Sequence, residues 1–363
     1  MKFRYPIYNP CVNVVNVSHD WGHGVFESTQ DRELALQQPF SVAAVRAFYN
    51  CPNIFSFDPA LANISVADFD LVLISDIEYF KHQDIEQWAA ENNITNYLLA
   101  LGGILSSDQI DSTTTLYRHY NIDRYLCRNH YVDTSGINKP YLFDCLLGAR
   151  RPHRDYVMLA LTCTGLLDRS IVTYRAGFPG EIINNYSDQY ANLFPSTTLN
   201  WPYVSPNLDP GWEVDGQISN QISCAAPDKI FQNTHYSIVC ETVGTGSDFF
   251  LSEKTVKAMF AKRVFVVFGP RHFLRRLRDI EFETFGSVID ESYDDEPCDD
   301  VRFQKAMLQV LKLAYFSNPR DVYNLTNYAT EKNFNHLYQL QIQTQRTMNF
   351  LLESKIPFDH WLY

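Results

Sequence analysis

Four stretches of this chain hold residue types able to hold a phosphate or move a proton. In the first, Gly148-Ala149-Arg150-Arg151-Pro152-His153-Arg154-Asp155 follows an apolar run and precedes a helical pattern at residues 156–167. A strand, a glycine turn with guanidinium forks and a helix N-terminus together favour an anion. In the second, Ser252-Glu253-Lys254 opens a helical pattern in which Val256, Met259 and Phe260 recur at the spacing of one buried face. Ser252 is placed to cap that helix, Lys254 to neutralise an anion and Glu253 to accept from ligand hydroxyls. Around this helix lie Glu241, at the end of the apolar run 237–241, Gly269 after 264–268, and Asp290 in an acidic turn. The Gly244-x-Gly246 that follows Glu241 lacks the third glycine of a dinucleotide fingerprint. Asp290 and Glu291 suit either a ligand hydroxyl or a cap for the next segment.

The third stretch is Ser18-His19-Asp20-Trp21-Gly22-His23-Gly24, a loop after a first short β-rich run. Asp20, with His19 and His23 as rivals, is the candidate general base, because a histidine titrates near neutral pH and a paired carboxylate serves equally. The three lack a fourth ligand at zinc-like spacing, so no metal is expected there. The fourth is the arginine-rich 271–278, where Phe273, Leu274, Leu277 and Ile280 read inward and Arg271, Arg275, Arg276 and Arg278 outward.

The elements that position these residues read as alternating strands and helices. Residues 12–17, 54–57, 70–75 and 97–101 read as strands, and 40–48 and 84–92 as helices. A second series follows, with strands at 141–147, 171–174, 237–241 and 264–268. Continuous apolar strands alternating with helices predict a parallel α/β sheet, whose ligands sit outside the carboxyl ends of the strands. Residues 184–210 read as a long irregular insertion or a cleft-lining loop. Helices are expected at 303–314 and 321–352.

Composition narrows the class. With 363 residues, 45% hydrophobic and 20% charged, the chain has core material for about two globular domains. The net charge of −12 argues against non-specific nucleic-acid binding, apart from the local arginine clusters. The eight cysteines include no C-x-x-C pair and read as free thiols in a reducing compartment. No run reaches the length of a membrane span, and the first ten residues carry no apolar signal, so a cytoplasmic chain is expected.

The pieces Ile238-Val239-Cys240-Glu241-Thr242 and Phe250-Leu251-Ser252-Glu253-Lys254 resemble the donor-binding motif of the alpha-1,3-fucosyltransferases, the family 10 glycosyltransferases. That motif has an aromatic-x-Thr-Glu-Lys run preceded by a strand ending in Glu-Asn; here Phe250 replaces its tyrosine, Ser252 its threonine and Thr242 its asparagine. The resemblance covers roughly residues 236–293. It implies a GT-B fold, with two Rossmann-like domains facing across a cleft and C-terminal helices returning to the first. The expected divisions are 1–139 for the acceptor domain, 140–320 for the nucleotide-sugar domain and 321–363 for the helical segment. It also implies metal-independent transfer from a nucleotide-diphosphate sugar, a co-substrate rather than a cofactor, to a hydroxyl of a glycan, a protein or a modified DNA base. The expected donor-binding set is Arg150, Arg151, Arg154, Glu241, Phe250, Ser252, Glu253, Lys254, Gly269 and Asp290. The rival readings are a non-catalytic α/β protein that binds nucleotide or glycan, and an epimerase or dehydrogenase, against which the missing G-x-G-x-x-G speaks.

Overall fold

The computed structural model describes residues 14–16, 42–47, 70–76, 87, 89–101, 138–175, 186–208, 228–246, 249–315 and 317–355. The chain forms two compact units, one of Met1–Arg124 with Gln339–Tyr363 and one of Tyr125–Tyr338.

In the first unit, four strands pair in sequence order, all parallel: β1 (Val14–Asn16), β2 (Val42–Ala47), β3 (Leu71–Asp76) and β4 (Tyr97–Leu101). The helix expected at 40–48 is instead strand β2. Val42-Ala43-Ala44-Val45 is a continuous run with β-branched ends, and its backbone is bonded on both sides, Val42 opposite Val14 and Leu71. A strand enclosed this way needs no helical spacing of its apolar residues.

The second unit is a five-stranded sheet in the order β7-β6-β5-β8-β9. Its parallel strands are β5 (Tyr141–Leu147), β6 (Ser170–Tyr174), β8 (Thr234–Cys240) and β9 (Phe265–Phe268). The short strand β7 (Tyr203–Val204) runs antiparallel on the β6 edge. Strand β9 is buried at every position, as its unbroken apolar run requires. The segment 186–208 is therefore not a structureless loop. It supplies the edge strand, a short 3-10 turn at Ser187–Tyr190, and Tyr190 and Phe194, whose rings pack edge-on against Tyr156.

Among the described residues the helices complete at both ends are α1 (Pro152–Cys163), α2 (Asp228–Asn233), α3 (Glu253–Phe260), α4 (Phe273–Asp279), α5 (Asp299–Tyr315) and α6 (Pro319–Lys355). Helix α1 connects β5 to β6 on one side, and α3 connects β8 to β9 on the other. Right-handed crossovers then put α1 and α3 on opposite faces. The order reverses between β5 and β8, and this switch point opens the crevice where such sheets bind ligands. Among the described residues no helix is long and apolar enough to cross a membrane.

A buried ion pair fixes the middle of this sheet. Arg263, 3% exposed, donates to Asp144, to Ser237 Oγ, to Thr234 Oγ1 and to the backbone oxygens of Phe231 and Thr234, at 2.7–3.0 Å. All five guanidinium donors thus have partners, the condition under which a buried charge is tolerated.

Candidate functional site

The carboxyl ends of β5 and β8 meet at Glu241. The residue follows β8 directly and is completely buried. His153 and Arg154, in the first turn of α1, both donate to its backbone oxygen, at 2.7 and 3.3 Å. Its carboxylate accepts from the Thr255 hydroxyl in α3 and from the Thr242 N–H. Burial raises its pKa, while Lys254 and the Ser252 and Thr255 hydroxyls act in the opposite sense. Two helices that start on opposite faces of the sheet are thereby tied to one residue at the switch point.

Helix α3 begins as its sequence requires. Ser252 Oγ accepts from the Lys254 N–H at 3.2 Å, and Val256, Met259 and Phe260 face inward with Phe250 buried just ahead of them. Lys254 Nζ reaches the Thr242 hydroxyl at 3.0 Å, Ser252 Oγ at 3.4 Å and Glu253 Oε1 at 2.9 Å. The two motif pieces, 238–242 and 250–254, are therefore joined through one ammonium group. Burial opposes ionisation of Glu253, but Lys254 and then Lys257 outweigh it and hold its pKa down to about 2.

The three arginines after β5 do different things. Arg150 donates to Asp155, a completely buried carboxylate that also accepts from the Tyr174 hydroxyl and the Tyr186 N–H. Its guanidinium lies 5.2 Å from the Trp201 ring centre, and the indole N–H donates to the Arg175 carbonyl at 2.9 Å. Arg154, 4% exposed, donates to the carbonyls of Ala149 and Glu241, and its Nε has no partner. Arg151 is half-buried, with an unpartnered Nε, and among the described residues its side chain donates no hydrogen bond.

His153 was not among the sequence candidates. It is 1% exposed, and burial followed by the charge of Arg154 pushes its pKa well down, so the ring is neutral. Nε2 then carries the proton given to the Glu241 carbonyl, and Nδ1 faces Gly244. A Cβ on Gly244 would lie 2.0 Å from Nδ1, so only glycine fits. Gly246 adopts φ +77°, which glycine adopts without strain. Arg302 on α5, also missed by sequence reasoning, is 2% exposed. It donates to the carbonyls of Gly244, Gly269 and Glu296 and to Asp299. Nothing in the sequence distinguishes it from an outward-facing arginine of an amphipathic helix.

Other expected positions sit apart from this cluster. Gly269 contributes a carbonyl to Arg302 rather than an open phosphate loop. Asp290 caps the 3-10 turn Glu291–Asp295 by accepting from the Ser292 N–H at 2.9 Å, and its charged neighbours are Lys312 and Lys305. Helix α4 turns Phe273, Leu274 and Leu277 inward, but its arginines are not a free basic patch. Arg275 pairs with Asp295, Arg276 with Asp279 and Arg278 with Glu291. His19, Asp20 and His23 lie outside the described residues. Among the described residues no cluster of His, Cys, Asp and Glu is arranged to hold a metal ion.

Comparison of the chain with protein-family models, with curated proteins and with solved structures finds no match.

Proposed function

We propose that the second unit binds a nucleotide-diphosphate sugar at its β5/β8 switch point, and that the chain transfers the sugar to a hydroxyl acceptor. The observation that carries this reading is the junction at Lys254. The residues that resemble the family 10 donor motif, Glu241-Thr242 and Ser252-Glu253-Lys254, converge through its ammonium group beyond the carboxyl end of β8, the edge at which sheets of this kind bind ligands. The GT-B arrangement, with the acceptor and the base supplied by the first unit, belongs to the same proposal.

The chemistry follows from the charges. Departure of a nucleoside diphosphate builds negative charge, which cations and helix N-termini stabilise without a metal. The first turns of α1 and α3, with Arg151, Arg154 and Lys254, provide them. Glu253, kept ionised by Lys254, is an acceptor for ribose or sugar hydroxyls. Asp20, His19 or His23 would take the acceptor proton if the reaction inverts configuration.

The test is release of nucleoside diphosphate from a panel of nucleotide sugars, with and without hydroxyl acceptors, by wild type and Lys254→Ala. Release by wild type that drops at least tenfold in the variant supports the reading. Tight nucleotide binding without any release would make the chain a binding protein; neither binding nor release would remove the proposal altogether.

A further inference from the structure

The sequence offers four cations for the ligand's phosphates, Arg150, Arg151, Arg154 and Lys254, and the structure separates them. Arg150 is committed to buried Asp155 and to the Trp201 ring, and its side chain is 9% exposed. Lys254 is paired with Glu253 and bonded to two hydroxyls. Arg154 is buried, and among the described residues no carboxylate lies within ion-pair distance of it. Its terminal nitrogens bond to the carbonyls of Ala149 and Glu241, and its Nε has no partner. A buried guanidinium held by carbonyls, with Glu253 acting on it only through space and Arg151 opposing it, is costly unless an anion completes the site. Arg151, the N-cap of α1, stands beside it. The N-cap makes no side-chain capping bond, position N1 is Pro152, and the guanidinium is unpartnered.

We infer that Arg151 is the residue that meets the ligand's phosphate, closing a dianion site formed with the buried Arg154 and the N-terminus of α1, while Arg150 serves only as framework. This rests on the proposed nucleotide-diphosphate reading and gives it a direction. The diphosphate lies over the first turn of α1, on the β5 side of the switch point, and the remainder of the donor extends toward Glu253 in α3. The Arg151 backbone carbonyl closes the first turn of α1, but its half-buried side chain donates no hydrogen bond among the described residues, so it can turn onto a phosphate without breaking a native contact. Arg150 and Arg154 cannot.

The test is calorimetric titration of the full chain with guanosine, GDP and inorganic pyrophosphate, using wild type, Arg151→Ala, Arg151→Lys and Arg150→Ala, with the melting temperature of each free protein measured alongside. Expected are binding of GDP and pyrophosphate by wild type and a loss of about tenfold to a hundredfold in Arg151→Ala, the range for a charge-assisted bond. The free Arg151→Ala variant should melt within about 1 °C of wild type, because the side chain it removes makes no hydrogen bond among the described residues. Arg151→Lys should fall between, because it keeps the charge and loses the fork. Arg150→Ala should instead lower the melting temperature. Equal affinity of wild type and Arg151→Ala would overturn the inference and leave the nucleotide reading standing. Binding of pyrophosphate that depends on Arg151, without turnover of any nucleotide sugar, would keep the inference and remove the transferase. No binding of either anion by wild type would overturn both.

Discussion

Replacing Gly244 by alanine tests the packing on which the site depends. The new Cβ would lie 2.0 Å from His153 Nδ1, 2.3 Å from Cγ and 2.4 Å from Cε1. An ordinary contact needs ~3.5 Å, so one partner must retreat by about 1.5 Å. The imidazole has nowhere to go: it is 1% exposed, bonded to the Glu241 carbonyl at 2.7 Å, with the Phe303 ring centre 6.2 Å away. Overpacking of this kind costs about 1–3 kcal/mol, and loss of the His153 bond adds ~1 kcal/mol. The expected loss is ~3 kcal/mol, or roughly 10 °C in melting temperature for a unit of this size. Urea unfolding of wild type, Gly244→Ala, His153→Ala and the double variant measures it. In the absence of the imidazole the alanine should cost little, giving a coupling of ~2 kcal/mol between the two positions. An unchanged midpoint for Gly244→Ala, or strictly additive losses, would refute the reasoning.

Arg263→Met should destabilise the second unit by about 3–5 kcal/mol, because it strands the Asp144 carboxylate in the sheet; the urea midpoint reports it, and a shift below ~1 kcal/mol would contradict the role given to this pair. Asn333→Ala should cost about 1–3 kcal/mol, since its side chain accepts from the Glu283 N–H at 2.7 Å and donates to the Glu283 carbonyl at 3.0 Å, leaving both unpaired when removed. Stability should fall with acid in two windows. Burial, with the charges of Lys139 and Arg263, lowers the pKa of His235 to about 4. The unfolded chain therefore takes up this proton first, and stability declines as the pH drops from ~6.5 toward 4. The Glu253 carboxyl, held at about 2, contributes stability that is complete above ~4.3 and is lost as the pH falls toward 2. Urea midpoints at a series of pH values should show His235→Gln flattening the upper window and Glu253→Gln the lower; parallel curves for variant and wild type would contradict both assignments.

The fold of the second unit was readable where local chemistry and burial agree. Ser252 and the Val256, Met259, Phe260 spacing set the start and inner face of α3, and the unbroken run at 264–268 becomes the fully buried β9. Reading failed where pairing outside the local sequence decides. Residues 40–48 carry no turn signal to exclude a helix, yet β2 is fixed by ladders to β1 and β3. The edge strand β7 is too short to show a period. In the site, the arginine turn follows β5 and Glu241 follows β8, while Lys254 at the start of α3 returns to Thr242 through its side chain. The ranking of the arginines was hidden because it depends on which of them pairs with Asp155, the next residue after Arg154, and on Trp201, far along the chain. His153 and Arg302 were invisible for the same reason, since each acts through backbone carbonyls of residues far along the chain. Asp290 and Glu291 suited either a cap or a ligand contact, and Asp290 is the cap of the turn that follows.

The most direct measurement is a crystal structure of the full chain with a bound nucleoside diphosphate. The account predicts the diphosphate outside the carboxyl ends of β5 and β8, over the first turn of α1, with the Arg151 guanidinium turned onto it and Lys254 within reach. A diphosphate found elsewhere on the molecule, with Arg151 still unbonded, would contradict the claim that this switch point is the ligand site.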